Sequence, residues 1–220
     1  MTRKILVVAA HPDDEVLGCG GLMARTLREG GEAVVLILTE GCSTQYRGEP
    51  HRIDDKKRHA RSAMELVGGA AVEFVGLPDM VLSTLPPAQV NDPVTAAVVR
   101  HRPQWVLVHH SGDLNRDHGV VHEAARVACR PGPGSPSRLL TYETVSSTEW
   151  GVQPFEPNLY VSLQHEDLER KVRAFCAYES EVREAPHPRS PETIRHLAHL
   201  RGSQAGLHLA EAFRIVWERI

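Results

Sequence analysis

Two clusters of histidine and acid, far apart in the chain, carry groups that bind a metal and activate water. The first is His11-Pro12-Asp13-Asp14-Glu15, and the second is Asp113-Leu114-Asn115-Arg116-Asp117-His118. Imidazole and carboxylate are ligands of zinc, and a site with three protein ligands keeps a further position open for water. A histidine and an acid rounding one tight turn can face the same ion, while the neighbouring acid points at a water on it. Spacing does not say which of Asp13 and Asp14 takes which part. A plainer reading exists: Pro at a helix start with acids in the first turn is good capping and suits the helix dipole. Capping does not account for His11, nor for two adjacent aspartates directly after a buried strand. In the second cluster, His118 and His122 imitate the paired histidines of HExxH, but Gly119 stands where that motif needs its glutamate, so His122 reads as a helix-face residue.

The elements that must position these groups alternate strand and helix. Residues 5–10 are an unbroken apolar run, as expected of a strand covered on both faces. Residues 15–29 read as a helix ended by Gly30-Gly31, residues 33–38 as a second strand, and 54–67 as an amphipathic helix. A third strand at 72–75, a helix ending over 95–101, a fourth strand at 105–108 and a helix at 120–129 follow. Beyond residue 135 come short strands at 139–144 and 159–162, helices at 166–178 and 192–201, and a last strand over 212–216. This rhythm predicts βαβ units and an α/β fold: a Rossmann-like three-layer sandwich with a mainly parallel sheet and an elaborated C-terminal third, one domain over residues 1–220. In such sheets ligands bind beyond the C-terminal strand ends, where the first and fourth strands each deliver His and Asp.

Other motifs weigh less. Gly18-Cys19-Gly20-Gly21 lies about a turn inside the first helix, too late for a dinucleotide fingerprint and suited to close packing. His109 and His110 alternate at a strand end, so at most one faces the site. His51, His101, His165, His196 and His199 lie in polar contexts and read as solvated.

Composition sets the outer bounds. The chain has 220 residues and a net charge of −3, which offers no nucleic-acid footprint and no basic membrane face. Its four cysteines form no CxxC pair, which argues against a zinc ribbon or disulfide framework and for a reducing cytoplasm. The first apolar run stops at a Pro and three acids, unlike a signal peptide, and no stretch reaches the roughly 18 apolar residues of a spanning helix.

The sequence resembles the PIG-L/LmbE-like family of zinc-dependent N-deacetylases. Ala10-His-Pro-Asp-Asp-Glu15 and Asp113–His118 carry the likeness. It continues through Gly76-Leu-Pro-Asp79, Ala177-Tyr-Glu-Ser-Glu181, Pro186-His-Pro-Arg-Ser190 and Ala210-Glu-Ala-Phe213. The resemblance implies that His11, Asp14 and His118 bind zinc, with Fe2+ or Co2+ also able to occupy such a set, and that Asp13 is the general base. It implies removal of an acyl group, usually acetyl, from the nitrogen of an amino sugar in an N-acetylglucosamine-containing small molecule or glycoconjugate. Family members often assemble, so a homo-oligomer is compatible with it.

The sequence departs from the family pattern at Asn115, where many members carry a histidine, and at His59, where a glutamate is expected. An Asn donates to an oxyanion but cannot pass a proton. The proton for the leaving amine then comes from His187 or from Asp13 returning the one it took. Arg47, Asp113 and Arg189 are candidates for substrate contact. Two alternatives remain open: an amidase acting on a thiol conjugate or antibiotic precursor with the same metal, and a non-catalytic sugar- or nucleotide-binding module with a structural metal.

Overall fold

A computed structural model describes residues 3–42, 49 and 51–220. Five parallel strands form its centre: β1 (Lys4–Ala9), β2 (Glu32–Thr39), β3 (Ala71–Leu77), β4 (Trp105–His109) and β5 (Arg138–Tyr142). Two more, β6 (Leu159–Ser162) and β7 (Ala210–Glu218), extend one side, with β7 antiparallel to both of its neighbours. The spatial order is β3-β2-β1-β4-β5-β7-β6.

Six helices cover the sheet: α1 (Asp14–Arg28), α2 (His51–Val67), α3 (Pro87–His101), α4 (Arg116–Ala128), α5 (His165–Cys176) and α6 (Pro191–Gln204). Side chains alternate across a strand, so β1 feeds two cores. Ile5, Val7 and Ala9 pack with residues of α1, α2, α5 and α6, whereas Leu6, Val8 and Ala10 pack with residues of α3 and α4. Ile5 through Ala10 are all 0% exposed, which explains why that segment is apolar without alternation. The three layers and the mainly parallel sheet are as expected. Among the described residues, no helix is long and apolar enough to cross a membrane.

Some boundaries differ from the sequence reading. Helix α3 ends at His101, as read from the sequence, and its start, which that reading left open, is at Pro87, with Pro93 inside. Pro at a helix start gives up an amide that has no partner there, so Pro87 begins the helix at little cost. Pro93 sits in the interior, where the helix goes on without its amide. Helix α4 starts at Arg116 rather than near 120, because Asn115 caps it by accepting from Asp117 N.

The strand order turns around between β1 and β4: the chain runs outward from β1 to β2 and β3, then returns to build β4 and β5 on the other side. At such a switch point the connections leave in opposite directions and a crevice opens at the strand ends. His11 and the segment His109–His118 follow the two strands that flank it.

Candidate metal centre and active site

His11, Asp14 and His118 converge at this crevice, each offering one ligand atom within 4.8 Å of the others. Asp14 Oδ2 lies 3.1 Å from His11 Nδ1 and 3.3 Å from His118 Nε2. Ligands about 2.0 to 2.1 Å from a tetrahedral ion stand about 3.3 Å apart, so both spacings fit a bound zinc. Each imidazole has a carboxylate at its other nitrogen. Asp117 Oδ2 is 3.3 Å from His11 Nε2, and Asp113 Oδ1 is 3.0 Å from His118 Nδ1. Such outer carboxylates fix the tautomer and aim the free nitrogen at the metal. Both His118 nitrogens are buried at these ion-pair distances without completing a hydrogen bond in line. A buried nitrogen in that condition is costly, and a metal on Nε2 relieves it. The residues present therefore fit a divalent metal.

The charges point the same way. Burial opposes a proton on His11, yet the carboxylates of Asp117 and Asp14 push its pKa up to about 10. Burial alone would raise Asp14, but His118, His109 and His11 hold it well below the ordinary carboxylate range. The cluster is an anion-rich pocket that holds protons where a metal would sit.

His109 is close enough to be mistaken for a ligand. It is fully buried, 3.4 Å from Asp14 Oδ2, and stacked on His118 with ring centroids 3.7 Å apart. Its Nε2 accepts from Ala10 N at 3.0 Å, which leaves its proton on Nδ1 beside Thr144 Oγ1 at 3.2 Å. That lone pair is committed, so His109 is the platform under His118. His110 turns away, with Nε2 3.2 Å from Gln153 O. His122 is buried and bonds His109 O at 2.9 Å through Nδ1.

A cavity of about 370 Å³ opens over the cluster, and its walls include Asp13, Asn115, Arg189, Lys56, Glu181, Asp79, Ser146 and Ser147. A larger hollow of about 490 Å³, beside His110, His122 and Arg214, holds no comparable ligand set. Asp13 is 3% exposed. Burial pushes its pKa up to about 6, against the pull of Arg189, whose Nη1 stands 3.1 Å from Asp13 Oδ2. The same Arg189 nitrogen bonds Glu181 Oε2 at 2.7 Å, and Glu181 also takes Lys56 Nζ. Asn115 spends its side-chain oxygen on the α4 cap, 2.9 Å from Asp117 N, and its NH₂ donates to Met80 Sδ at 3.7 Å, which leaves its second N–H for the cavity.

Other expected residues fall elsewhere. Asp113, expected at the substrate, has a side chain with 0% exposure. Its oxygens serve His118, Asn115 N, Ser147 and Thr148, which makes it the orienting partner of His118. His187 does not line the cavity; its Nδ1 accepts from Arg189 N at 3.0 Å. Arg47 lies outside the described residues. His59 lies edge-on to Tyr178, with ring centroids 6.4 Å apart.

The sequence reading missed three partners. Asp117 holds His11 and also accepts from Met80 N at 2.6 Å and Leu82 N at 3.0 Å; its place beside His118 was the available signal. Lys56 and Glu181 reach the cavity from α2 and from the turn after α5, and no spacing rule links them.

With the site in view, comparison with known proteins decides the family. The family model PIG-L: GlcNAc-PI de-N-acetylase matches residues 6–129, more than half of the chain. The chain belongs to this family. It is 29% identical over 186 residues to the uncharacterized deacetylase YaiS of Escherichia coli, covering 81% of this chain and 91% of that one. It is 24% identical over 229 residues to the diacetylchitobiose deacetylase of Thermococcus kodakarensis, covering 97% of this chain and 83% of the other. The fold is also that of GalB, the 4-carboxy-2-hydroxymuconate hydratase of Pseudomonas putida. That structure matches with a TM-score of 0.79 and 21% identity, over 99% of this chain and 98% of that one. A hydratase on the same scaffold means that fold alone does not name the reaction.

Proposed function

We propose that this chain is a zinc-dependent N-deacetylase that removes acetyl from the 2-acetamido group of a small amino-sugar compound. The observation that carries the reading is the convergence of His11 Nδ1, Asp14 Oδ2 and His118 Nε2 on one point, with Asp13 beside it, its carboxylate taken by none of the three and paired with Arg189 at 3.1 Å. Those three atoms would hold the metal, and Fe2+ or Co2+ suits the same set. A bound zinc supplies Lewis acidity and lowers the pKa of a nearby water.

Asp13 takes a proton from the attacking water as the water oxygen closes on the amide carbon. Its raised pKa, about 6, suits a group that accepts a proton near neutrality and returns it. Asn115 donates its amide N–H to the oxyanion that forms, a role open to it because its oxygen is committed to the cap. The C–N bond then breaks, and Asp13 passes its proton to the departing amine. His187 supports this indirectly, by accepting from the main chain of Arg189. The cavity wall mixes Lys56 and Arg189 with Asp79, Glu181 and two serines, a lining suited to a polyhydroxyl ligand. The diacetylchitobiose deacetylase relative supports an amino-sugar substrate.

Acetate release from N-acetylglucosamine and N,N'-diacetylchitobiose, together with metal analysis, tests this. Asp13→Ala should retain the metal and lose nearly all turnover, while His11→Ala should lose both. Wild-type turnover by metal-replete Asp13→Ala refutes the assignment. Metal-loaded chain that releases no acetate from any 2-acetamido sugar refutes the reaction, and the hydratase on this scaffold is why that arm is needed.

A further inference from the structure

Asp13 has a backbone that its own side chain does nothing to hold. It is the N-cap of α1, yet its carboxylate makes no capping bond, and its φ of 121° lies where side chains other than glycine rarely go. A strained residue persists only where its surroundings over-determine it. Here the surroundings are specific. Asp13 O accepts from Val16 N at 3.1 Å and Leu17 N at 3.0 Å, while Asp13 N donates to Glu15 Oε2 at 3.0 Å. The other oxygen of Glu15 accepts the hydroxyl of Tyr178. Glu15 and Tyr178 are both 0% exposed, and Tyr178 is tied to the end of α5 through its own amide, 2.9 Å from Phe175 O.

We propose that Glu15 and Tyr178 are a positioning pair for Asp13, with Tyr178 holding the Glu15 carboxyl group so that it clamps the Asp13 peptide in the strained turn. The inference rests on the reading of Asp13 as the base. Tyr178 lies beyond residues 6–129, so the family match assigns it nothing. A core that only needed filling would not bury a carboxyl group there, since an apolar side chain carries no desolvation cost. The clamp leaves the Asp13 carboxylate free for the cavity while its main chain is fixed. Arg189 from the same C-terminal stretch pairs with that carboxylate at 3.1 Å. The region that the sequence shows only as an elaborated C-terminal third thereby reaches the catalytic turn at two points.

Tyr178→Phe removes the hydroxyl and keeps the ring, and Glu15→Gln keeps an oxygen for Asp13 N. In Tyr178→Phe we expect metal stoichiometry and KM as in the wild type and kcat lower by about tenfold or more, because small misplacements of a reacting group cost that much. The Asp13 amide of the metal-free variant should exchange its hydrogen at least about tenfold faster, as expected of a locally loosened hydrogen bond. Glu15→Gln should keep more turnover than Glu15→Ala. A purely structural role predicts the opposite pattern, with lower stability and metal content and unchanged kcat per bound metal. That result, or wild-type kcat and Asp13 exchange in Tyr178→Phe, overturns the proposal. If Tyr178→Phe does not fold, equal turnover by Glu15→Gln and Glu15→Ala overturns it, and the expected ranking supports it. Asp13→Ala separates the two readings: if it stays active the base assignment fails, and if it is inactive while Tyr178→Phe is normal only the clamp fails.

Discussion

Replacing Gly18 with alanine should damage both the core and the metal centre. A Cβ on Gly18 would stand 2.1 Å from Tyr142 Cδ2 and 2.7 Å from Cγ and Cε2, where ordinary contact begins at 3.4 Å. The ring must therefore retreat by about 1.3 Å, the difference between 3.4 and 2.1 Å. It has little room, being 0% exposed, and its hydroxyl donates to Val8 O at 3.0 Å. Overpacking of this kind costs about 1 to 3 kcal/mol. A buried hydroxyl pulled from its acceptor adds about 1 to 3 kcal/mol. The better helix propensity of alanine returns about 1 kcal/mol. A net loss of about 3 kcal/mol is expected, a large part of the roughly 5 to 15 kcal/mol that holds a domain folded. Urea unfolding of wild type and Gly18→Ala, compared at equal m-value, measures it. The ring also bears on the site: Tyr142 OH is 3.2 Å from His109 Nε2, and His109 is stacked on His118. Zinc affinity should fall by about tenfold or more, as when a supporting group behind a ligand is disturbed. A loss below about 0.5 kcal/mol with unchanged zinc affinity would refute the packing argument, since changes of that size are usual where nothing is touched.

Gly119→Ala is the counterpart. A Cβ there meets nothing within 4 Å and the residue lies inside α4, so the same urea measurement should show a gain of about 0.5 to 1 kcal/mol. Metal binding should release protons. Carboxylates push His11 up to about 10, so it is charged at neutral pH in the metal-free chain and must lose its proton to become a ligand. Apparent zinc affinity should therefore rise with pH below that value, by about tenfold per unit for each proton displaced. Calorimetry in buffers of different ionisation enthalpy counts those protons, and a pH-independent affinity with no proton release would contradict this.

The core of the fold was readable because its signals are local. A strand buried on both faces needs an unbroken apolar run, and β1 has one; helix α1 ends where two glycines follow it. Only the end of α3 was legible in the sequence; its start at Pro87 lies upstream of Pro93, and Val90, Val94 and Ala97 are buried in one core along the helix on both sides of that proline. The site divides along the same line. His11 and His118 stand out from their type and their place at two strand ends with acids beside them, whereas the choice of Asp14 over Asp13 came only from the family resemblance. The C-terminal segment, by contrast, carries no spacing that shows Tyr178 meeting Glu15 or Arg189 meeting Asp13.

By itself the sequence determined which chemistry this protein could perform, because residue type and strand-end placement select metal ligands and a neighbouring acid. Tertiary structure decided the division of labour. It set Asp113 and Asp117 behind the histidines, spent the lone pair of His109 on Ala10 N, and brought Lys56, Glu181 and Arg189 to the cavity. The physical reason is that a ligand, its orienting partner and a bystander are the same residue types. Only direction and distance in the folded chain distinguish them.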